Sequence, residues 1–406
     1  MRLKKIKASR ANAYSRCFDF LSTANRYNRF FFCTFYFLYA MTLILTFLGK
    51  GGTGRSTVAI AAAHKLAADG KRVLFCTQEA GIATSLLMGA DIGPSVSDAT
   101  LSDQTFQAVQ LQTTALVDKN WEQLKAFEAQ YLRDPFFKAV YGQELSVIPG
   151  MDDFLALNAL REYTESAQYD VIVHDGPGNQ SSLRLWGAIG GIDWYFRRFK
   201  KVFQDSQFYR SISPFIAPVT GAVLSSGLSG DIWNQPETQS VEGMVAKGKA
   251  MVRDPMQLRA YLVTTPDDIA IAQGKYLWSA AQQIGLTVAG AIINAPYASI
   301  EASTEASTEA SIEPATPEAL SPLPITTLPH TPDDNRWESL ASALPTMTAP
   351  VTVPSAMSVD TSNSTVKLFL PGFDKKQVKL TQYGPEVTVE AGDQRHNLSL
   401  PPALNG

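Results

Sequence analysis

Cysteine is scarce. Cys17, Cys33 and Cys76 are the only three in 406 residues, and no two form a C-x-x-C or lie close together. That argues against a disulfide framework and against a cysteine zinc site, and it fits a reducing compartment. Charge is modest too, at 18% of residues, and the net value of −3 conceals an asymmetry. Residues 1–40 hold eight basic side chains (Arg2, Lys4, Lys5, Lys7, Arg10, Arg16, Arg26, Arg29) against one acid, Asp19. They carry +7, which leaves −10 for the rest. The body is acidic, so nucleic acid is not expected as a general partner. What the chain does have is length and apolar content: 45% hydrophobic residues allow two domains, one with a large core.

One long apolar run is present. Phe30–Leu48 is nineteen residues without a charge, and it follows the basic segment. By hydropathy it reads as a signal anchor or transmembrane helix. Its second half, "MTLILTFL", runs straight into a glycine loop. Such a loop needs a buried strand before it, and a strand at the centre of a sheet cannot also lie in a bilayer. The favoured reading of residues 1–40 is an extension that is not native, with initiation at Met41. A processed targeting segment and a true anchor are the alternatives.

The glycine loop is "LGKGGTGRST", Leu48 to Thr57. The phosphate-loop pattern G-x-x-x-x-G-K-[ST] falls on Gly49, Gly54, position 55 and Ser56. The usual lysine is missing; Arg55 stands in its place. In such a loop, backbone N–H groups of Gly49, Lys50, Gly51, Gly52, Thr53, Gly54, Arg55, Ser56 and Thr57 cradle phosphate oxygens at the positive end of the next helix. The Ser56 hydroxyl suits Mg²⁺. Arg55 keeps the positive charge, but it is longer and planar, so it does not replace a lysine point charge one for one. ATP and Mg²⁺ are the expected ligands.

The surrounding pattern is that of an α/β fold. An alanine-rich helix over Ser56–Ala68 is followed by a buried strand, "KRVLFCT". Strand, loop, helix, strand is the opening of a mostly parallel sheet. Further strands are expected at "LSVIPG", "DVIVHD", "RAYLVTTP", "VAGAIIN" and "PLPITTLP", with a last helix at "DNRWESLASAL". Residues 100–142 and 181–252 read as mostly helical. The helical inserts are placed at about 90–142 and 181–252. Residues 298–320, with their repeated E-A-S-T, read as a low-complexity surface insertion.

The expected organisation is an extension at 1–40, a P-loop ATPase domain at 41–345 and a linker at 346–362. A β segment at 363–406 completes it, where Val366, Leu368, Val378, Leu380, Val387 and Val389 alternate with polar or turn residues. About 43 residues is too few for an independent sandwich.

Lys50 adds a class to the loop. G-K-G-G-T-G-[KR]-[ST] resembles the deviant motif of dimeric P-loop ATPases, which include nitrogenase iron protein, the division-site and partition ATPases, and the arsenite-pump ATPase. The resemblance implies a homodimer in which Lys50 reaches the partner's nucleotide. "IPGMDDFLALNAL" and "YDVIVHDGPGNQSSLR" are similar to stretches of the arsenite-pump and tail-anchored-protein-targeting ATPases. "LVTTPDDIAIAQ…VAGAIIN" is similar to a strand–helix–strand of that family, and implies that Asn294 reads adenine. "LFLPGFDKKQVKL" resembles the opening of a small-heat-shock (α-crystallin) domain. That fusion resembles the cyanobacterial and plastid branch of the targeting ATPases, and the β segment reads as truncated. The implied site is Lys50, Arg55, Glu79 and Asp175, with Ser56 and Asp175 (through water) on Mg²⁺.

Departures from the family bear on rate and cargo. The first switch reads "CTQEAG" instead of S-T-D-P-A-H. Glu79 therefore takes the place of the water-orienting aspartate with one more methylene, and Gln78 is an alternative water ligand. In-line attack is sensitive to small displacements, so slow turnover is expected. The missing C-x-x-C removes the zinc clasp of some relatives, and no zinc is expected. With only Cys76 outside the extension, arsenite transport is not expected either. His64 reads as packed or solvated rather than as a ligand.

The expected activity is ATP-switched shielding of a hydrophobic helical client. Leu183, Leu185, Trp186, Ile189, Trp194, Tyr195 and Phe196 are the candidate groove. The compartment is cytoplasmic (or plastid stroma in a photosynthetic eukaryote), with membrane contact only indirect. A non-hydrolysing nucleotide-dependent scaffold is one alternative. A partition or positioning ATPase is another, but it would need a basic C-terminal helix that the sequence does not offer.

Overall fold

A computed structural model describes residues 42–79, 81–121, 150–205, 236–294, 317–329 and 335–360, and most of 362–399. The extension at 1–40, the strand expected at "LSVIPG", and most of the low-complexity insertion lie outside the described residues. The elements below belong to the compact unit Leu43–Gly406.

Five apolar residues and Thr46, over Leu43–Leu48, form β1, and all six are buried. Ile44 and Leu48 point into one core, and Leu43, Leu45 and Phe47 into the other. Burial on both faces is what a central parallel strand requires. The same holds for β2 (Val73–Thr77) and β5 (Val171–Asp175), whose residues are all buried. With β3 (Ser97–Leu101), β4 (Gln104–Gln110), β6 (Leu258–Thr264), β7 (Val288–Asn294) and β8 (Ile325–Leu328) they build one sheet. Its order is β3-β4-β2-β5-β1-β6-β7-β8. All pairs are parallel except the edge hairpin β3–β4.

Helices cover both faces. On one lie α1 (Arg55–Ala68), α2 (Ala83–Met88) and α7 (Arg336–Ala343), contributing Val58, Ile60, Leu66, Met88 and Leu340. On the other lie α3 (Met151–Glu165), α4 (Gln180–Asp205), α5 (Pro236–Arg253) and α6 (Asp268–Ile284), contributing Leu155, Leu160, Trp186, Val252 and Trp278. Among the described residues no helix is long and apolar enough to cross a membrane.

Two expectations fail here. Residues 100–110, read as helical, are strand. Ser102, at φ 52°, and Asp103 turn the chain back, and β4 pairs in parallel with β2. The free edge of β2 selects the strand form, a tertiary contact that local pattern does not carry. The linker is not featureless either. Met347 is buried, the Ala349 carbonyl accepts from Arg259, and β9 (Met357–Asp360) lies within the expected linker range.

After β9 come β10 (Thr365–Leu368), β11 (Lys379–Tyr383), β12 (Glu386–Ala391) and β13 (Gln394–Ser399). They form a two-stranded and a three-stranded antiparallel sheet. A segment this short needs a partner surface, and it finds one on α6. Phe369 meets Trp278 edge to face at 5.4 Å, and Phe373 meets Tyr276 at 5.3 Å. The Gly372 N–H donates to Ser279 Oγ, and Gln283 Nε2 to the Ala391 carbonyl at 3.3 Å. Gln394 Nε2 donates to Gln180 Oε1 at 2.7 Å, at the start of α4.

Candidate nucleotide site

β1 delivers the chain to the loop, and α1 leads away from it. The loop turns through Gly52 (φ +84°) and Gly54 (φ +86°), a conformation L side chains rarely adopt. Gly54 is the N-cap of α1, so no side chain caps that helix, and its first turn has no acid. The α1 terminus therefore presents uncapped N–H groups and a positive dipole end, which suits an anion.

The loop is braced from behind. The Thr53 hydroxyl donates to the Lys50 carbonyl at 2.9 Å, and Asn294 Nδ2, at the end of β7, donates to the Thr53 carbonyl at 3.0 Å. The Gly49 N–H donates to the Gly178 carbonyl at 2.8 Å, joining the loop to the second switch. Asn294 thus holds the loop in this structure. Gly51, Gly52 and Lys50 are exposed, while Ser56 and Thr57 are half-buried in the first turn of α1.

Asp175 ends β5 beside the loop. It is buried, and its Oδ2 has no hydrogen-bond partner. Burial pushes its carboxyl up to about 6. The Ser56 hydroxyl, the Arg55 charge and the Thr77 hydroxyl oppose that shift, and the Glu79 charge adds to it. Arg55 reaches the second switch. Its Nη1 donates to the Gly176 carbonyl at 3.0 Å. The guanidinium fills the space a Cβ on Gly178 would need, 1.6 Å from Nη1. Burial lowers its pKa, and Asp175 and Glu79 act against that. The fold brings Arg55, Glu79 and Asp175 close enough to feel one another's fields.

Lys50 stands apart from this group. Its charge acts on Asp267, the N-cap of α6. Burial opposes the shift there, but the Thr265 hydroxyl, the Ala270 N–H and Lys50 hold the Asp267 carboxyl below the usual range.

Three supporting residues were not anticipated. His174 Nε2 lies 2.9 Å from Gln78 Oε1, and Nδ1 lies 3.1 Å from the Thr46 hydroxyl. Its ring edge meets Trp186 at 5.5 Å. Burial lowers its pKa to about 4, so the ring is neutral at pH 7. The Gln78 oxygen assigns the proton to Nε2. The Gln78 side-chain oxygen is thus tied to His174. Thr77 accepts from the Glu79 N–H at 3.1 Å. Gln110 Nε2 donates to the carbonyls of Glu79 and Gly81, fixing the first switch. Gln110 faces Thr77 in the β2–β4 register, and reading its segment as helix hid it.

Residues 42–311, well over half of the chain, match the family model described as anion-transporting ATPase. The chain belongs to that family. This anion-transporting ATPase family member also matches, over residues 362–406, the HSP20-like domain found in ArsA. A relative in Aquifex aeolicus bears the name of an arsenical pump-driving ATPase. It is 19% identical over 383 residues, covering 89% of this chain and 94% of the relative. One of Chlorobaculum tepidum, with a similar name, is 24% identical over 159 residues, 39% of this chain and 38% of the relative. A Prosthecochloris vibrioformis relative matches to the same extent. The match to the latter two thus spans well under half of their length. Family membership accords with the mostly parallel sheet and with the α-crystallin-like segment read from the sequence.

Proposed function

We propose that the chain binds ATP and hydrolyses it slowly, works as a homodimer, and changes shape with nucleotide state to hold or release a hydrophobic helical client. The supporting observation is Asp175 Oδ2: buried, unpartnered, and next to the Ser56 hydroxyl at an uncapped helix N-terminus. A buried acceptor without a donor is costly, and a cation beside a phosphate relieves that cost. Ser56 and Asp175 would hold Mg²⁺, Asp175 through water. The ion supplies charge neutralisation at the phosphates. The N–H groups from Gly49 to Thr57 bind the phosphate oxygens. Lys50 and Arg55 add positive charge, Glu79 orients the attacking water, and Asn294 reads adenine while holding Thr53.

Two features support slow turnover. Arg55 is engaged with Gly176, so its charge is shared with the second switch. Glu79 is longer than the aspartate it replaces. Three exposed apolar side chains support a homodimer: Ile82 and Leu86 at α2, after β2, and Ile269 on α6, after β6. They flank the loop at the C-terminal edge of the sheet, where an exposed Lys50 reaches a partner's nucleotide. The client rests on the family likeness and the HSP20-like segment. Of the groove residues named above, Leu183, Leu185, Trp186 and Ile189 are core and cannot line it. The side chains of Tyr195 and Phe196 lie outside the described residues. Arsenite is not the cargo proposed. Cys76 is buried, and burial raises its thiol far above the ordinary value, so it offers no thiolate. A cytoplasmic location is part of the same proposal.

Single-turnover hydrolysis of Mg-ATP by the full chain tests this reading. The native protein is expected to turn over slowly and Arg55→Lys about tenfold faster, a shift of about 1.4 kcal/mol in barrier. Equally fast rates in both remove Arg55 as the brake. Tight ATP binding with no hydrolysis in either favours a nucleotide-dependent scaffold. In a second arm, a fluorescent transmembrane-helix peptide is titrated with ATP or ADP present; affinities independent of nucleotide remove the client.

A further inference from the structure

A second cluster of ligand atoms lies on α1, away from its phosphate end. His64 sits nine residues after Arg55, about 14 Å along the helix at 1.5 Å per residue. It is only 3% exposed, and neither ring nitrogen has a hydrogen-bond partner. A buried imidazole left unsatisfied on both sides is unusual, because each unmade bond costs about 1–3 kcal/mol.

What faces it is acidic. Asp103, in the β3–β4 turn, places Oδ1 3.4 Å from His64 Nε2, without hydrogen-bond geometry. Its other oxygen accepts from Gln104 Nε2 at 2.9 Å. Glu338, in the first turn of α7, supplies a second carboxylate. One ligand atom from each of the three residues lies within 4.8 Å of the other two. Both carboxylates are exposed, so their side chains are free to close the remaining gap. The three residues come from distant parts of the sequence and meet only because α7 and the hairpin pack beside α1.

We propose that His64, Asp103 and Glu338 form a divalent transition-metal site, with Zn²⁺ the ion that best fits the donors. An imidazole nitrogen disfavours Mg²⁺ and Ca²⁺, which take oxygen ligands. One nitrogen and two carboxylate oxygens give Zn²⁺ three protein ligands and leave a fourth position for water. The bound ion satisfies a His64 nitrogen that is otherwise unpaired. It also ties α1 to the hairpin and to α7, bracing from behind the helix whose other end meets the phosphates. His64, expected from sequence to be packed or solvated, is buried, and its environment is that of a ligand.

The test uses full-length, untagged, metal-stripped protein with excess Mg²⁺, and Zn²⁺ delivered in competition with a chromophoric chelator. The native chain should take up Zn²⁺ with micromolar or tighter affinity. Asp103→Asn/Glu338→Gln should weaken that binding at least about tenfold, as loss of first ligands does where even outer partners cost about 10–100-fold. The carboxylates are exposed, so the double variant should melt like the native protein without metal. His64→Gln should weaken binding similarly, and a histidine-derived, Co²⁺-shifted NMR line should vanish with it. If His64→Gln does not fold, the carboxylate variant decides alone. Identical isotherms for the native and carboxylate-variant proteins would put the ion elsewhere. No uptake by the native chain would leave the His64–Asp103 contact without a metal role. Either result overturns the proposal.

Discussion

Asp175→Asn is expected to make the nucleotide-free protein more stable and nearly inactive. The stability half follows from burial. The Asp175 carboxyl is raised from 3.8 to about 6, so the folded protein binds a proton that the unfolded chain has lost between those values. Stability from this group is therefore greatest below about pH 4 and falls as pH rises through 6. Above pH 6 the charged carboxylate costs at most about 3 kcal/mol, at 1.36 kcal/mol per unit. Asparagine removes that cost but also turns one of the two acceptor oxygens near Ser56 and Thr77 into an amide donor and removes the charge beside Arg55. A net gain of about 1–2 kcal/mol at pH 7 is expected, read as a rise of a few degrees in Tm.

The difference between the two proteins should close as pH falls below about 4. His174, lowered to about 4, works in the opposite sense: its stability is present above pH 6.5 and lost toward 4. It is present in both proteins and drops out of the comparison. The activity half rests on the proposed metal role. Single-turnover hydrolysis should fall about 10³-fold, the scale of losing a preorganised charge contact in a transition state. A Tm that drops at pH 7, or a rate within tenfold of native, would each count against the assignment of Asp175.

Gly49→Ala is expected to be among the most damaging single changes in the loop. A Cβ at Gly49 would lie 2.1 Å from the Val263 carbonyl oxygen. That atom is backbone in β6, so it cannot step aside as a side-chain tip can. The loop or β6 must move, and Gly49 also carries the N–H that reaches Gly178. A loss of about 3 kcal/mol is expected, within the range for overpacking a buried site. Gly51→Ala is the control, since a Cβ there meets nothing within 4 Å. Urea midpoints should separate the two variants clearly, with Gly51→Ala close to native. Equal midpoints would mean the loop at Gly49 is looser than its contacts imply.

Much of this was legible in the chain itself. β1, the glycine loop and α1 follow one another with a pattern that only a buried strand feeding a phosphate loop satisfies. β2, β5, β6 and β7 are largely apolar runs bounded by turn residues, and Asp175 falls at a strand end. Those signals are local: periodicity reports how much of a segment is buried, and glycine reports where the backbone must turn tightly. They do not report what the buried face meets. The apolar residues of α4 looked alike as groove or core, and packing against the sheet made Leu183, Leu185, Trp186 and Ile189 core.

β3 and β4 became strands because the edge of β2 was open to them. Phe369 and Phe373, between β10 and β11, found their apolar partners in Trp278 and Tyr276 of α6. Long polar side chains depend most on tertiary structure, because their heads go to whatever lies across from them. Arg55 was read from sequence as a phosphate ligand; the fold turned it to Gly176 and Gly178. His64 was an unremarkable helix residue until Asp103 and Glu338 arrived from two other elements. Sequence by itself determined the family of loop and sheet, since backbone pattern suffices for both. Only the tertiary structure decided which charges share a site, because that depends on distances between residues far apart in the chain.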